Sequence, residues 1–425
     1  MTALLQLGQP VSEGAIETVR FFNGRLLSGA DLTREQQARA GLDARIALTG
    51  GSGVAYGLTV ERTSADLAEP RASVTVRAGV GVAPSGLVLE LAGDQRIALV
   101  REDSTSFAVN QPGTFGPCGS EAGGVYVAGE GLYLLAVAPA RVSAGRAQVN
   151  GLPGDPLSCN ADRDLAGVSF RLFEIPPHAY GGISPTEASF RNRIAYRCFG
   201  ARVRQRWVTH LPGKVDSGGS LADHFAACGL TDDMLPLALV HFTGALDVTF
   251  LDMWAVRREL TVPDRGDPLA SLTAPARGAA GRAMLAQFAG HLGELAAAPG
   301  GLAGVSARTH FPQLPPCGLL PGLDAGTAGD FFAGMTYRGP IHINAAQLEV
   351  LMRESLTAPA IDTADDGVVW VYAVAENLIA AAGALADPAR PDPYLVFARG
   401  DLGYRGDARF NLHRWNYANF ALGGS

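Results

Sequence analysis

The sequence predicts an α+β chain that is mainly β: an N-terminal antiparallel β-sandwich or barrel with one leading helix, then a C-terminal α+β domain. Three observations carry this. Up to about Glu174 the chain is a series of short runs rich in Val, Leu and Tyr, punctuated by Gly, Pro, Asp and Ser. Beyond Ile175-Pro176-Pro177 the runs lengthen and helical spacing appears. Gly 53 and Pro 26 in 425 residues mark a loop-rich chain, as in sandwiches with many turns. The predicted domains are therefore 1–175 and 176–425.

The first unit, Phe21 to Leu58, reads as strand, cap, helix, glycine break, strand. Asn23-Gly24 is a turn signal, because both residues tolerate positive φ. Ser28 and Asp31 are cap candidates for a helix running to Leu48. The apolar positions of that helix, Leu32, Leu42 and Ile46, are too sparse for a core helix. It is expected on a surface, against a sheet or a neighbouring subunit. Strands follow at 54–62, 73–81, 87–91, 97–101, 125–127, 132–138 and 168–173, with a hairpin turn at Ala83-Pro84-Ser85-Gly86. The segments Asn110 to Gly124 and Ser143 to Asp164 read as long loops, of a size that is usually functional or ordered by a partner.

In the second half, Thr186 to Trp207 reads as a helix that Gly200 ends or bends. Its run of arginines (Arg191, Arg193, Arg197, Arg202, Arg204, Arg206) is expected as a solvated face, with contact to a subunit's acidic loop as the alternative. Leu235 to Leu260 is the strongest β region, with Leu237–Phe242 suited to a buried central strand. Gly278 to Ala297 has the spacing of an amphipathic helix, through Met284, Leu285, Phe288, Leu292 and Leu295, and Gly300-Gly301 stops it. His310 to Leu323 is proline-rich and expected to lie irregularly across a surface. A strand at Ile341–Ile343, a helix at Ala345–Leu356 and strands at Val368–Val374 and Tyr394–Ala398 complete the set. The tail RFNLHRWNYANF, from Arg409 to Phe420, is too apolar to dangle and is expected to dock.

Composition narrows the functional classes. A formal net charge of -7 offers no basic stripe for displacing counterions, which argues against nucleic acid as a partner. The sole lysine is Lys214, so lysine is not available to blunt strand edges. The N-terminus lacks a cationic segment followed by an apolar one, so no secretory signal is read there. No run of about 18 apolar residues suggests an integral membrane segment. The five cysteines, Cys118, Cys159, Cys198, Cys228 and Cys317, are widely spaced and never in C-x-x-C. Free thiols are preferred, although Cys118 and Cys159 sit in Gly/Pro-rich loops that could meet.

No catalytic or cofactor-binding residue and no metal is assigned from the sequence, and no cofactor is expected. The eight histidines are scattered, with no H-E-x-x-H and no pair at i, i+4. His241, followed by Asp247 and Asp252, is the best candidate for chemistry, but Asp247 falls at a turn and Asp252 at the expected start of a strand. There is no G-x-S-x-G elbow, P-loop or dinucleotide fingerprint. The acidic group Asp362, Asp365 and Asp366 has the oxygen donors for Ca²⁺ but no Glu at a suitable spacing. Arg-Gly-Asp at Arg265–Asp267, Arg399–Asp401 and Arg405–Asp407 is attributed to composition. Trp207, Trp254, Trp370 and Trp415 look packed or terminal rather than arrayed for a ligand.

The opening order F-F-N-G-x-L-L-x-x-x-D-L-x-x-E-Q, then a helix, then G-x-G-V-x-x-G-L-x-V, resembles the N-terminus of structural proteins of contractile injection systems and phage-tail-like particles. Ser73–Val76 with Gly79–Leu91 resembles that group's following hairpin. Phe190–Gly200, Leu314–Pro321 and Tyr394–Phe420 continue the resemblance. It implies a structural part at the baseplate or around the central spike, assembled in the cytoplasm with other baseplate or spike proteins and carried into a particle. It brings no catalytic residues. Self-association, most simply as a trimer, is expected. The assembly interface would be built from Phe21, Phe22, Asp31 and Leu32 at the leading helix and from Arg409, Phe410, Trp415, Tyr417 and Phe420 in the tail. The other reading is a receptor- or carbohydrate-binding module of such a particle.

Overall fold

The computed structural model describes residues 14–62, 73–99, 129–149, 158–200, 221–243, 247–261, 275–320, 323, 326–364, 367–374 and 394–399. Within them the chain is α+β and mainly β, as expected. Residues 20–27, expected to open with strand, form none. Asn23-Gly24 does turn, with Arg25 N–H donating to Phe22 O at 3.2 Å and Gly24 at φ 88°. Helix α1 (Gly29–Ala47) follows.

Six short strands come next: β1 (Gly53–Gly57), β2 (Val60–Arg62), β3 (Ser73–Val76), β4 (Gly79–Val82), β5 (Val88–Leu91) and β6 (Gln95–Ala98). The expected strand at 54–62 is split because Leu58 takes a left-handed φ of 51° between β1 and β2. The strands form two antiparallel sheets, β1-β4-β5 and β2-β3-β6. The Ala83–Gly86 turn closes the β4–β5 hairpin, with Gly86 N–H on Ala83 O and Ala83 N–H on Leu87 O.

The organising element is a four-stranded antiparallel sheet of β7 (Gly131–Ala144), β10 (Arg163–Ile175), β11 (Leu235–Phe242) and β12 (Val248–Asp252), in the order β10-β7-β11-β12. Leu132 to Ala138 on β7 are buried without interruption, because this sheet is covered on both faces. Tyr133, Leu135 and Val137 point to a core shared with the two small sheets through Val54, Val60 and Val76. Leu132, Leu134, Ala136 and Ala138 face the opposite way, toward the 3₁₀ turn Pro177–Tyr180 and helices α2 (Phe190–Phe199) and α3 (Leu221–Phe225). The period of two along a strand produces both sets. The N-terminal strands are thus layered in sandwich fashion, and the barrel alternative is not what forms.

This sheet corrects the expected boundary. β7 and β10 precede Ile175-Pro176-Pro177, β11 and β12 follow it, and β7 pairs with β11 from Gly131↔Phe242 to Val137↔Leu235. The division at residue 175 therefore falls inside one hydrogen-bonded sheet. The long loop expected at 143–164 is instead the end of a hairpin: β7 and β10 pair from Leu132↔Ile175 out to Ala144↔Arg163, and β8 (Ala147–Val149) pairs with β9 (Ser158–Asn160) beyond. The loop expected at 110–124 lies outside the described residues. Met253–Arg257, expected as strand, forms a turn, and only Glu259 and Thr261 bridge back to Val54 and Ser52.

A second sheet, β14-β18-β17-β15, is made by Cys317–Leu320, Tyr394–Ala398, Val369–Val374 and Tyr337–Ile343, with β15 and β17 parallel. Alternation again sorts its faces. Val369, Val371, Leu395 and Phe397 pack under helix α4 (Pro275–Ala297) through Phe288 and Leu292. Tyr372, Val374, Val396 and Ala398 pack against Leu351 of a later helix, Ala345–Ser355. His310–Leu323, expected as irregular surface, is core: Phe311, Leu314, Cys317 and Leu320 are buried, Gln313–Leu314 pairs with Ile361–Asp362, and Cys317–Leu320 is the edge strand. Short one-turn helices at Ala307–His310 and Ala328–Phe331 fill the remaining turns.

Candidate functional site

Two places concentrate the polar chemistry: the leading helix on the surface, and a charged joint between the two large sheets. At the leading helix, Ser28 accepts from Asp31 N–H at 3.2 Å while Ser28 N–H donates to Asp31 Oδ2 at 3.1 Å, a reciprocal capping box. The Ser28 hydroxyl donates to the same carboxylate at 2.8 Å, and Arg25 adds an ion pair at 2.6 Å. These bonds, led by the Ser28 hydroxyl, hold the Asp31 carboxyl down at about 2.

Of the residues expected at an assembly interface, Phe21 and Phe22 lie in the segment before this helix and Asp31 and Leu32 in its first turn. Phe21, Phe22, Leu26, Leu27, Leu32, Leu42 and Ile46 are all exposed, and Ala38 is the buried residue of the helix. The helix leans on its own protein through small residues: Ile16 sits against Gly41, and Gly86 packs tightly on the Ala44 carbonyl. The tail residues Arg409, Phe410, Trp415, Tyr417 and Phe420 lie outside the described residues, as do Cys118, Asp365 and Asp366.

The joint centres on Arg191, expected as part of a solvated face and found buried. Arg191 Nε donates to Asp252 Oδ2 at 3.1 Å, Nη1 to Glu294 Oε2 at 2.7 Å and Nη2 to Leu251 O at 3.3 Å, with the guanidinium 5.6 Å from the Phe250 ring centre. Asp252 does not begin a strand; it ends β12, almost fully buried, and also accepts from Gln287 Nε2 at 2.9 Å and Ala255 N–H at 3.0 Å. Asn192, next on the helix, donates to Gln313 O at 2.9 Å and accepts from Gln313 N–H at 3.2 Å. Helix α2 thereby ties β12, α4 and the 313–314 strand into one joint. The sequence did hold a signal. Arg191 shares the stripe Ile194, Ala195 and Cys198 at i+3, i+4 and i+7, so a charge lay on the apolar face.

A cavity of about 320 Å³ opens beside the joint, lined among others by Phe190, Arg191, His241, Thr249, His291 and Glu294. His241 stacks on Phe250 at 5.5 Å, and its Nδ1 lies 2.7 Å from Thr249 Oγ1. That hydroxyl donates to His241 O at 3.2 Å, so Nδ1 carries the proton and donates to Thr249. Nε2 is then a bare acceptor, sealed without a partner. Burial pushes the His241 pKa down, and burial together with the Arg191 and His310 charges pushes that of His291 well down. Both rings are held neutral. Asp247 lies outside this cluster, at the turn into β12.

Among the described residues, burial shifts three thiols upward. Burial raises Cys198 and Cys317 to about 12, and Cys228 is raised as well, again chiefly by burial. Among the described residues no three His, Cys, Asp or Glu side chains are grouped to hold a metal ion, and no helix is long and apolar enough to cross a membrane.

No protein-family model and no curated protein matches the chain. Among solved structures it is similar to one described as "Crystal structure of TssK", with 11% identity, 67% of this chain and 50% of that chain covered, and a TM-score of 0.26. The chain thus spans half the length of that structure's chain, and a likeness this slight carries no argument about fold or function.

Proposed function

We propose that this chain is a structural component of a bacterial contractile injection system or phage-tail-like particle, placed at the baseplate or around the central spike and acting by assembly rather than catalysis. The resemblance of the opening F-F-N-G segment and of the later motifs supplies the particle. The observation that carries the assembly role is the leading helix: 19 residues long, well capped, with Ala38 as its buried residue and its large apolar side chains facing outward. The helix meets its own chain through Ala38, Gly41 and Ala44, and apolar side chains displayed together on its outside mark an interaction surface. The partners are further copies of the chain, in a trimer, and neighbouring baseplate or spike proteins, met in the cytoplasm during assembly.

The polar joint supports the same reading. Its arginine is committed to two carboxylates, its histidines are neutral with shielded nitrogens, and the thiols of Cys198, Cys228 and Cys317 are shifted upward by burial. That arrangement holds two sheets together.

The test is incorporation. Ala38→Pro, which breaks the leading helix, and truncation before Arg409 should each abolish entry into purified particles, while His241→Ala should leave it intact. Polysaccharide or peptidoglycan cleavage by the purified chain, lost in a folded His241→Ala variant, would overturn the reading.

A further inference from the structure

The outward face of the leading helix has a pattern that specifies what covers it. Leu32, Glu35, Arg39, Leu42 and Ile46 recur at alternating steps of three and four, the spacing of the seam of a two-helix coiled coil. They lie on the side away from Gly41, Ala44 and Leu48, which face the chain's own body. The seam is open at its apolar positions: Leu32 is 53%, Leu42 48% and Ile46 66% exposed. At its centre Glu35 and Arg39 form an ion pair at 3.3 Å within the helix.

We infer that this helix pairs antiparallel with the same helix of a second copy, about a two-fold axis passing between Glu35 and Arg39. In an antiparallel seam each first-type core position meets a second-type position of the other helix. Leu32 then faces Leu42 of the second copy, and Glu35 faces Arg39. By symmetry both contacts occur twice. The next layer brings Ile46 to Ser28 of the second copy, beside Leu26, which is 93% exposed, and Leu27. The two inner layers match apolar with apolar and charge with opposite charge, and the two ion pairs fix the register.

The parallel alternative fails on the same residues. A parallel pair or a three-fold bundle would stack Glu35 on Glu35 and Arg39 on Arg39, like charges at the core of the seam. The leading helix is thus a two-fold contact, separate from any three-fold contact the chain makes elsewhere. The inference rests on the assembly reading proposed above and specifies its geometry.

The experiment uses the full chain in sedimentation velocity and thiol cross-linking, with circular dichroism to confirm that each variant folds. Glu35→Arg should weaken self-association by at least about tenfold, because two attractions become two repulsions. Adding Arg39→Glu to it should restore association to within about threefold of the parent, since the reversed charges again face each other. Leu32→Cys mixed with Leu42→Cys should give a 32–42 cross-linked peptide by mass spectrometry. Self-cross-linking of Leu32→Cys alone, or charge reversal without effect on association, would overturn the two-fold pairing while leaving assembly through other surfaces standing. A chain that stays monomeric at about 100 μM would also overturn it, and particle incorporation would then judge the broader reading separately.

Discussion

Replacing Arg191 by Ala tests whether the two large sheets are held by one charged joint. The guanidinium is buried and makes three bonds, to Asp252, Glu294 and the Leu251 carbonyl. Glu294 is half exposed and can return to water, so its loss costs little. Asp252 is 2% exposed and cannot. Removing one partner of a buried pair costs about 3–5 kcal/mol, because the remaining charge stays buried without its counter-ion. Asp252 keeps its bonds from Gln287 and the Ala255 amide, which places the expected loss near the lower end, about 3 kcal/mol. Arg191→Met with Asp252→Asn should recover most of it. Asparagine can still accept from Ala255 N–H, and its amide can donate to Gln287 Oε1, a buried acceptor now without a partner. The assay is urea unfolding followed by tryptophan fluorescence, comparing midpoints at constant slope. A single variant within about 1 kcal/mol of the parent, or a double variant no better than the single, would refute the joint as described.

The remaining predictions are quicker to state. His291 and His241 titrate in the native chain below the 6.5 of an unfolded histidine, so the unfolded state binds more protons as the pH falls. Their contribution is intact above that value and is lost below it, so unfolding midpoints should drop from pH 7.5 to pH 5 and drop less in His291→Gln. Gly281 packs tightly against the Leu356 carbonyl, so Gly281→Ala should destabilise by about 1–3 kcal/mol rather than gain from helix propensity, as thermal unfolding would show. Ser28→Ala removes the cap of the leading helix and should speed amide exchange over its first turns, without changing exchange in the buried strands.

Local pattern was sufficient for much of this chain. The cap at Ser28, the hairpin over Ala83–Gly86, the central strand 237–242, the helix stopped by Gly300 and the last strands all follow from propensity, turn chemistry and spacing. The outward placement of the leading helix was equally legible, because three apolar residues cannot fill a core-facing stripe. What the sequence alone could not decide were the meetings of distant segments. β7 pairs with β11 across about a hundred residues, and no local signal reports such a register, so Ile175-Pro176-Pro177 read as a boundary and proved to lie within a sheet. The proline-rich 310–323 segment reads as surface because it is irregular. Its burial comes from lying between α4 and the final sheet, with its prolines falling outside the short strands Gln313–Leu314 and Cys317–Leu320. Arg191 is the clearest case. Its type announces a solvated surface, and only the tertiary fold, by bringing Asp252 and Glu294 to either side of it, makes a buried arginine stable there.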